Sequence, residues 1–125
     1  MRKHRSKHHA KEGPTQRQLR VAEAIRGIIS KALLYESFYG SNLEGVSITV
    51  SEVRISPDLK NATAYVVALG GNAPKDFVTT LNERAPQFRY AIGRELNLRN
   101  TPMILFRPDE SFEQAKKIHD LLEHI

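Results

Sequence analysis

Two alternating apolar stretches with a proline turn between them constrain this chain more than any other feature. Val46, Ile48 and Val50 alternate with Ser47, Thr49 and Ser51, and Ala62 to Leu69 returns as a second run after Ser56-Pro57-Asp58. Alternation with period two marks a half-buried strand, and a proline pre-set for the second turn position lets two such strands fold back as an antiparallel hairpin. In the first strand the apolar positions pass from even to odd between Val50 and Val53. One extra residue, a bulge near Ser51-Glu52, accounts for the change without ending the strand. The side of the second strand that carries Ala62, Ala64, Val66 and Ala68 is small, which allows a helix to lie close against it.

Helical periodicity brackets the hairpin. Pro14 precedes Thr15-Gln16-Arg17-Gln18, a capping box in which the threonine oxygen and the glutamine side chain satisfy the first free amides of a helix. Leu19, Ala22, Ile25, Ile28, Ile29, Ala32 and Leu33 then recur at helical spacing, with Arg17, Arg20, Arg26 and Lys31 off that face. Gly40 to Gly45 reads as a flexible connection into the first strand. After Gly70-Gly71-Asn72-Ala73-Pro74 comes a helix with Phe77, Val78 and Leu81, which Pro86 ends or kinks around Ala85, since proline lacks an amide and crowds the preceding turn. A second helix follows with Phe88, Ile92 and Leu96. Thr101-Pro102 marks a break, and Met103-Ile104-Leu105-Phe106 predicts a third, well-buried strand. Asp109 or Ser111 caps a last helix that carries Phe112, Ala115, Ile118, Leu121, Leu122 and Ile125. The expected order is α-β-β-α-α-β-α, an α+β domain without internal repeats.

A chain of 125 residues holds one such domain. It has no cysteine, so thiol catalysis and cysteine-zinc sites are excluded. No apolar run approaches the roughly 18 residues that span a membrane, and the polar start lacks a signal peptide, so a cytoplasmic protein without a membrane partner is expected. Formal net charge is +5 with a sequence pI of about 9.7, which favours a polyanionic partner. The charge is unevenly placed. Met1 to Gly13 holds Arg2, Lys3, Arg5, Lys7 and Lys11 against Glu12 alone, has nothing apolar to bury, and should be a disordered basic arm; the remainder is nearly neutral.

Catalytic and metal chemistry find little support. Gly40-Ser41-Asn42-Leu43-Glu44-Gly45 has glycines at Walker spacing, but Val46-Ser47 follows where a lysine and a hydroxyl residue are required. His119 and His124 are out of phase for a shared helix face, and His4, His8 and His9 lie on the arm, so no metal and no cofactor are expected. Asp109 and Glu110 suit a helix N-terminus better than a carboxylate pair. No serine, histidine and aspartate motif appears, and no catalytic residue is assigned.

What remains is cationic. Arg84, Arg89, Arg94 and Arg99 recur around the broken helix pair, with Arg54 and Lys60 on the hairpin. A five-residue step drifts around a helix of about 3.6 residues per turn, so these arginines share one surface only if the break at Pro86 reorients the first. The basic arm is the stronger signal, since lysines and arginines bind nucleic acid by neutralising phosphates and releasing counterions.

Val53-Arg54-Ile55-Ser56-Pro57-Asp58-Leu59-Lys60-Asn61-Ala62 with Tyr65-Val66, and Leu96-Asn97-Leu98-Arg99-Asn100-Thr101-Pro102 leading to Leu105-Phe106 and Asp109-Glu110-Ser111, together resemble the ribosome-binding factor A family. The opening helix, with Arg20-Val21-Ala22 before Ile25 and Ile28, is similar too, and the likeness runs from about Thr15 to about Leu122. It implies a type II KH-like fold, α-β-β-α-kink-α-β, here with an additional C-terminal helix. The implied organisation is a basic tail over 1–14, an RNA-binding KH-like domain over 15–108 and a C-terminal helix over 109–125. Where the family usually has alanine-x-glycine at the kink, this chain has Arg84-Ala85-Pro86-Gln87. Glycine would allow closer backbone approach to phosphate, so shape and phosphate recognition of folded RNA is expected in place of base-by-base reading.

The resemblance further implies a non-catalytic, monomeric assembly factor. Such proteins bind the free 30S subunit late in maturation, contact 16S rRNA near its 5′ region and the decoding neck, leave before translation, and support precursor processing and growth in the cold. The candidate RNA-binding residues are Arg2, Lys3, Arg5, Lys7, Lys11, Arg54, Lys60, Arg84, Ala85, Pro86, Gln87, Arg89, Arg94 and Arg99, with no DNA partner. Three other functions compete with this reading. They are a module for messenger or regulatory RNA, whose GxxG hallmark is missing, a protein adaptor that uses the arm as a tether, and a small nuclease.

Overall fold

The computed structural model describes residues 13–70 and 73–123. The arm residues Arg2, Lys3, Arg5, Lys7 and Lys11, with His4, His8, His9, His124 and Ile125, lie outside the described residues. Among the described residues seven elements follow one another: α1 (Gln16–Tyr35), β1 (Ser47–Ile55), β2 (Asn61–Leu69), α2 (Phe77–Glu83), α3 (Ala85–Glu95), β3 (Met103–Pro108) and α4 (Glu110–Glu123). The order and class are those expected. They form a KH-like α+β fold whose three-stranded sheet runs β1-β2-β3, with β1 antiparallel and β3 parallel to the central β2.

Local chemistry explains each boundary. Thr15 closes the N-terminus of α1 as a capping box: its hydroxyl accepts from the Gln18 amide at 3.2 Å, and the Gln18 side chain accepts from the Thr15 amide at 2.9 Å. Gln18 is buried, and its amide nitrogen also donates to the Ile55 carbonyl at 3.2 Å, which ties the start of α1 to the end of β1. Register along the hairpin shifts between Val50 and Glu52. The extra residue, Ser51, lets Val50 on one side and Val53 and Ile55 on the other all point into the core. Arg84 alone separates α2 from α3, with Pro86 in the first turn of α3, where its missing amide costs nothing.

All three strands turn one face toward α1, α2 and α3. Ala62, Ala64 and Val66 of β2 are buried there beneath Ile25 and Ile29 of α1, Leu81 of α2, and Phe88 and Ile92 of α3. Phe88 meets Phe106 edge-on, with centroids 5.1 Å apart and planes at 66°, an arrangement that adds about 1 kcal/mol to the area the rings bury. The segment Gly40 to Gly45 is more fixed than its composition suggests, because Leu43 is fully buried and the Thr80 hydroxyl donates to Asn42 at 2.6 Å.

The third strand corrects the expectation of full burial. Ile104 and Phe106 are in the core, but Met103 and Leu105 are 58% and 48% exposed on the opposite face of the sheet. Among the described residues helices cover one side of the sheet, so alternate residues of β3 are exposed on the other. β3 is also an edge strand, and Asn82 of α2 completes it: the Phe106 amide donates to Asn82 Oδ1 at 2.8 Å, and Asn82 Nδ2 donates to the Phe106 carbonyl at 3.1 Å. This side chain stands in for a neighbouring strand's peptide group. At the end of β3 the Asp109 amide donates to the Val66 carbonyl, and Asp109 Oδ1 accepts from the Ser111 amide as a cap for α4. Ile118, Leu121 and Leu122 of α4 are exposed rather than built into the core.

Replacing Asn82 with Leu removes both bonds at the open edge while keeping the side chain's bulk. We expect a loss of about 2 kcal/mol in urea unfolding. Exchange of the Phe106 amide should rise before that of the Ile104 amide, which hydrogen-exchange mass spectrometry or NMR would read.

Candidate nucleic-acid interface

Among the described residues, the cations singled out in the sequence fall into two groups: those that hold the fold together and those left facing solvent. Arg84 belongs to the first. Its guanidinium donates to the Ser37 carbonyl and to Glu36 Oε1 at 3.4 Å, and it stacks over the Phe38 ring at 4.7 Å. The Gln87 side-chain amide meets the same Glu36 carboxylate, with its nitrogen 2.7 Å from Oε2. Glu36 is the C-terminal cap of α1, so the kink Arg84-Ala85-Pro86-Gln87 is fastened to the end of the first helix.

Arg89 also acts internally. Its Nε donates to the Pro102 carbonyl and its Nη2 to the Thr101 carbonyl, both at 3.0 Å. One turn further along α3, a Cβ on Gly93 would stand 3.0 Å from Thr101 Oγ1, so the loop before β3 lies hard against this helix. Arg89 and Gly93 fix the course of Leu98 to Pro102 and hence the position of Arg99. The sequence marks Arg89 as a cation; nothing in its spacing marks the two carbonyls it satisfies.

Arg54 pairs with Glu52 at 2.7 Å and lies 5.4 Å over the Tyr65 ring, on the face of the sheet that carries no helix. That pair is exposed and contributes little to stability. Arg94 lies 5.8 Å over the Tyr90 ring and lines a concavity between α1 and α3 together with Lys31, Glu36 and Glu95.

Lys60 and Arg99 are brought together. They line an open cleft with Leu59, Leu98, Asn100, Asp58 and Arg17, a residue that the periodicity of α1 shows only as lying off the apolar face. The four arginines around the kink therefore share no single surface: Arg84 turns to α1, Arg89 to the loop, Arg94 to the α1–α3 concavity and Arg99 to this cleft.

The turn that carries Lys60 is built closely. The Ser56 hydroxyl donates to Asp58 Oδ1 at 2.6 Å, the Lys60 amide donates to the same oxygen at 3.0 Å, and the Asn61 amide donates to Ser56 Oγ at 3.0 Å. Leu59 adopts a left-handed backbone, φ 61°, to close it. The Ser56 hydroxyl, and after it the Lys60 amide, hold the Asp58 carboxyl below the ordinary aspartate range. A depressed folded-state value stabilises the fold at pH above the unfolded aspartate range, and this contribution is lost as pH falls through the folded value.

Two predictions follow from these contacts. Arg84→Gln should cost about 1 to 2 kcal/mol of stability, measured by urea denaturation, because it removes the ring stack and the charged donor to Glu36 and Ser37. In Ser56→Ala the Asp58 carboxyl should titrate at higher pH than in the unaltered protein, as followed by NMR of its side-chain carbon.

A family profile described as ribosome-binding factor A matches residues 17–122, which take in nearly all of the described body. The chain is 46% identical over 110 residues to ribosome-binding factor A of Ruegeria pomeroyi, covering 88% of this chain and 84% of that protein. It is 45% identical over 123 residues to the Bradyrhizobium protein of the same name, covering 98% and 88%. Among solved structures, a solution structure of a putative ribosome-binding factor A from Thermotoga maritima superposes with a TM-score of 0.59 at 28% identity over 76% of this chain and 89% of that one. The crystal structure of the Thermus thermophilus factor gives 0.57 at 19% identity, covering 73% and 94%. A homology model of the T. thermophilus factor, fitted into a cryo-EM map of its complex with the 30S, gives 0.54 at 19%, covering 69% and 88%. With the profile spanning the folded body and curated relatives this similar over most of their length, the chain belongs to the ribosome-binding factor A family.

Proposed function

We propose that this protein is a non-catalytic assembly factor, acting in the cytosol as a monomer. It binds the free 30S subunit through 16S rRNA during late maturation, and thereby supports processing of the 16S precursor and growth in the cold. The observation that carries this reading is the family match across the folded body; the T. thermophilus relative fitted into a 30S complex supports it. In this reading residues 15–108 form the RNA-binding body, 1–14 a basic arm and 109–125 an appended helix.

The chemistry asked of such a factor is modest. A protein that binds one RNA conformer more tightly than another shifts the population toward it by the difference in affinity, about 1.4 kcal/mol for each factor of ten. Exposed cations supply the grip. Arg54, Lys60, Arg94 and Arg99 are exposed on the body, and Arg2, Lys3, Arg5, Lys7 and Lys11 add to them from the arm. Arg84, Gln87 and Arg89 shape the surface around them, because a phosphate would have to displace Glu36 or the loop carbonyls to reach their polar groups. Recognition of this kind reads backbone position and helical shape rather than base identity.

In a sucrose gradient the protein should sediment with free small subunits and leave them as salt is raised. A strain without it should accumulate 16S precursor most strongly in the cold. Migration with whole ribosomes, or only at the top of the gradient, would retire the proposal.

A further inference from the structure

We infer that Arg17, Lys60 and Arg99, with the Asn100 amide, form a preorganised clamp for the phosphate backbone of RNA at the end of the molecule where α1 begins. This rests on the RNA-binding reading above and names the surface that performs it.

The three cations come from three separate elements. Arg17 stands in the first turn of α1, Lys60 at the close of the β1–β2 turn, and Arg99 in the loop between α3 and β3. Each element is tied to its neighbour by hydrogen bonds that involve backbone groups. Gln18 fastens α1 to the Ile55 carbonyl, the Met103 amide donates to the Lys60 carbonyl at 2.8 Å, and Arg89 holds the carbonyls of Thr101 and Pro102. The bases of all three side chains are therefore fixed relative to one another before any ligand arrives, which lowers the ordering cost of binding.

Little of their charge is used within the fold: Lys60 interacts electrostatically with Asp58, an influence smaller than the hydrogen bonds that carboxyl accepts. Among the described residues none of the three makes an ion pair or side-chain hydrogen bond, in contrast to Arg26, Arg54 and Arg84. Asp58 is the single acid lining the cleft, and its Oδ1 already accepts from the Ser56 hydroxyl and the Lys60 amide. Positive charge is thus in excess. Leu59 and Leu98 are half-buried beside it and present an apolar wall, next to which a charged contact is screened less than in open water. Two guanidinium groups suit phosphate because each can donate a pair of parallel bonds to its oxygens, while the lysine and the asparagine amide contribute single donors. Chain continuity favours a polymer over a lone anion: Lys11, the last cation of the basic arm, precedes Arg17 by only a few residues.

The test compares the salt dependence of binding for the full chain and two triple variants of equal charge loss. One variant is Arg17→Gln, Lys60→Gln, Arg99→Gln; the other is Lys75→Gln, Arg107→Gln, Lys117→Gln, which removes exposed cations elsewhere. The probes are free small subunits, a protein-free fragment of 16S rRNA, and polyglutamate of matching charge. The cleft variant should lower the slope of log affinity against log salt by about 2 to 3 on both RNA probes, while the other variant lowers it by less than half as much. Equal slopes for the two variants would overturn the clamp, as would an equal effect of the cleft variant on polyglutamate binding. Failure of the unaltered protein to bind small subunits, with the cleft effect intact on the rRNA fragment, would sink the assembly reading and leave the clamp standing. Binding to neither RNA would overturn both.

Discussion

This fold depends on the helices closing over one face of the sheet, α1 across β1 and α2 and α3 across β3, with the small residues of central β2 between them. Ala62, Ala64 and Val66 of β2 form the small-residued floor of a core that Ile25, Ile29, Phe88 and Ile92 fill from the helices. A larger residue at Ala64, which is fully buried, would push the helices away from the strand and loosen every contact they make with one another. Because α1 and α3 also pack directly against each other over the sheet, their ends meet, and the polar work of the molecule is done at those junctions. Glu36 gathers Arg84 and Gln87 at one end of α1; Gln18 reaches Ile55 at the other.

The division of the cations follows from this seating. A guanidinium that is half-buried at a junction must find acceptors, because leaving a charged donor unpaired there costs more than one hydrogen bond returns. Arg84 and Arg89 are in that position, and both are matched to carbonyls or a carboxylate. Arg17, Lys60 and Arg99 stand where solvent can satisfy them, so the fold places no demand on their charge. A residue free of structural duty can present its charge to a partner without unfolding anything. For this reason Arg89 is a poor place to probe RNA contact by substitution: its loss would release the loop that carries Arg99, and the two effects would be confounded.

How much of this was legible in the sequence depends on the range of the interaction involved. The capping box at Thr15, the bulge at Ser51, the hairpin and the break at Pro86 all rest on neighbours within a few residues, and the pattern of side chains displays them directly. The half exposure of β3 was not legible, because a run of four apolar residues looks the same whether a sheet is covered on one face or two. Nor could periodicity reveal that Asn82 completes the edge of β3, that Gly93 admits Thr101, or that Arg17 shares a cleft with Lys60 and Arg99. Each of these pairs residues far apart in the chain, and the joining contact exists only once the helices are seated. Periodicity, caps and turns displayed the order of elements, and the family resemblance agreed with it, but neither displayed the partners of the arginines.

The kink shows how one local residue choice changes what the backbone can offer a ligand. A glycine at the break would leave bare backbone amides free to approach a phosphate, as its missing Cβ permits. Here Pro86 removes one of those amides, and the residues on either side of it, Arg84 and Gln87, direct their polar groups inward to Glu36. A phosphate arriving at the kink would meet a carboxylate whose two nearest donors are already engaged with it, so approach there is opposed by charge as well as by sterics. Beyond the kink, a surface with cations in excess is the cleft beside the start of α1, where the one lining acid, Asp58, already accepts from the Ser56 hydroxyl and the Lys60 amide. The absence of glycine at one end of α1 and the surplus of charge at the other fit the proposed clamp: a surface without bare backbone to offer a phosphate would rely on side-chain charge, and that charge is most effective where the fold has left it unpaired.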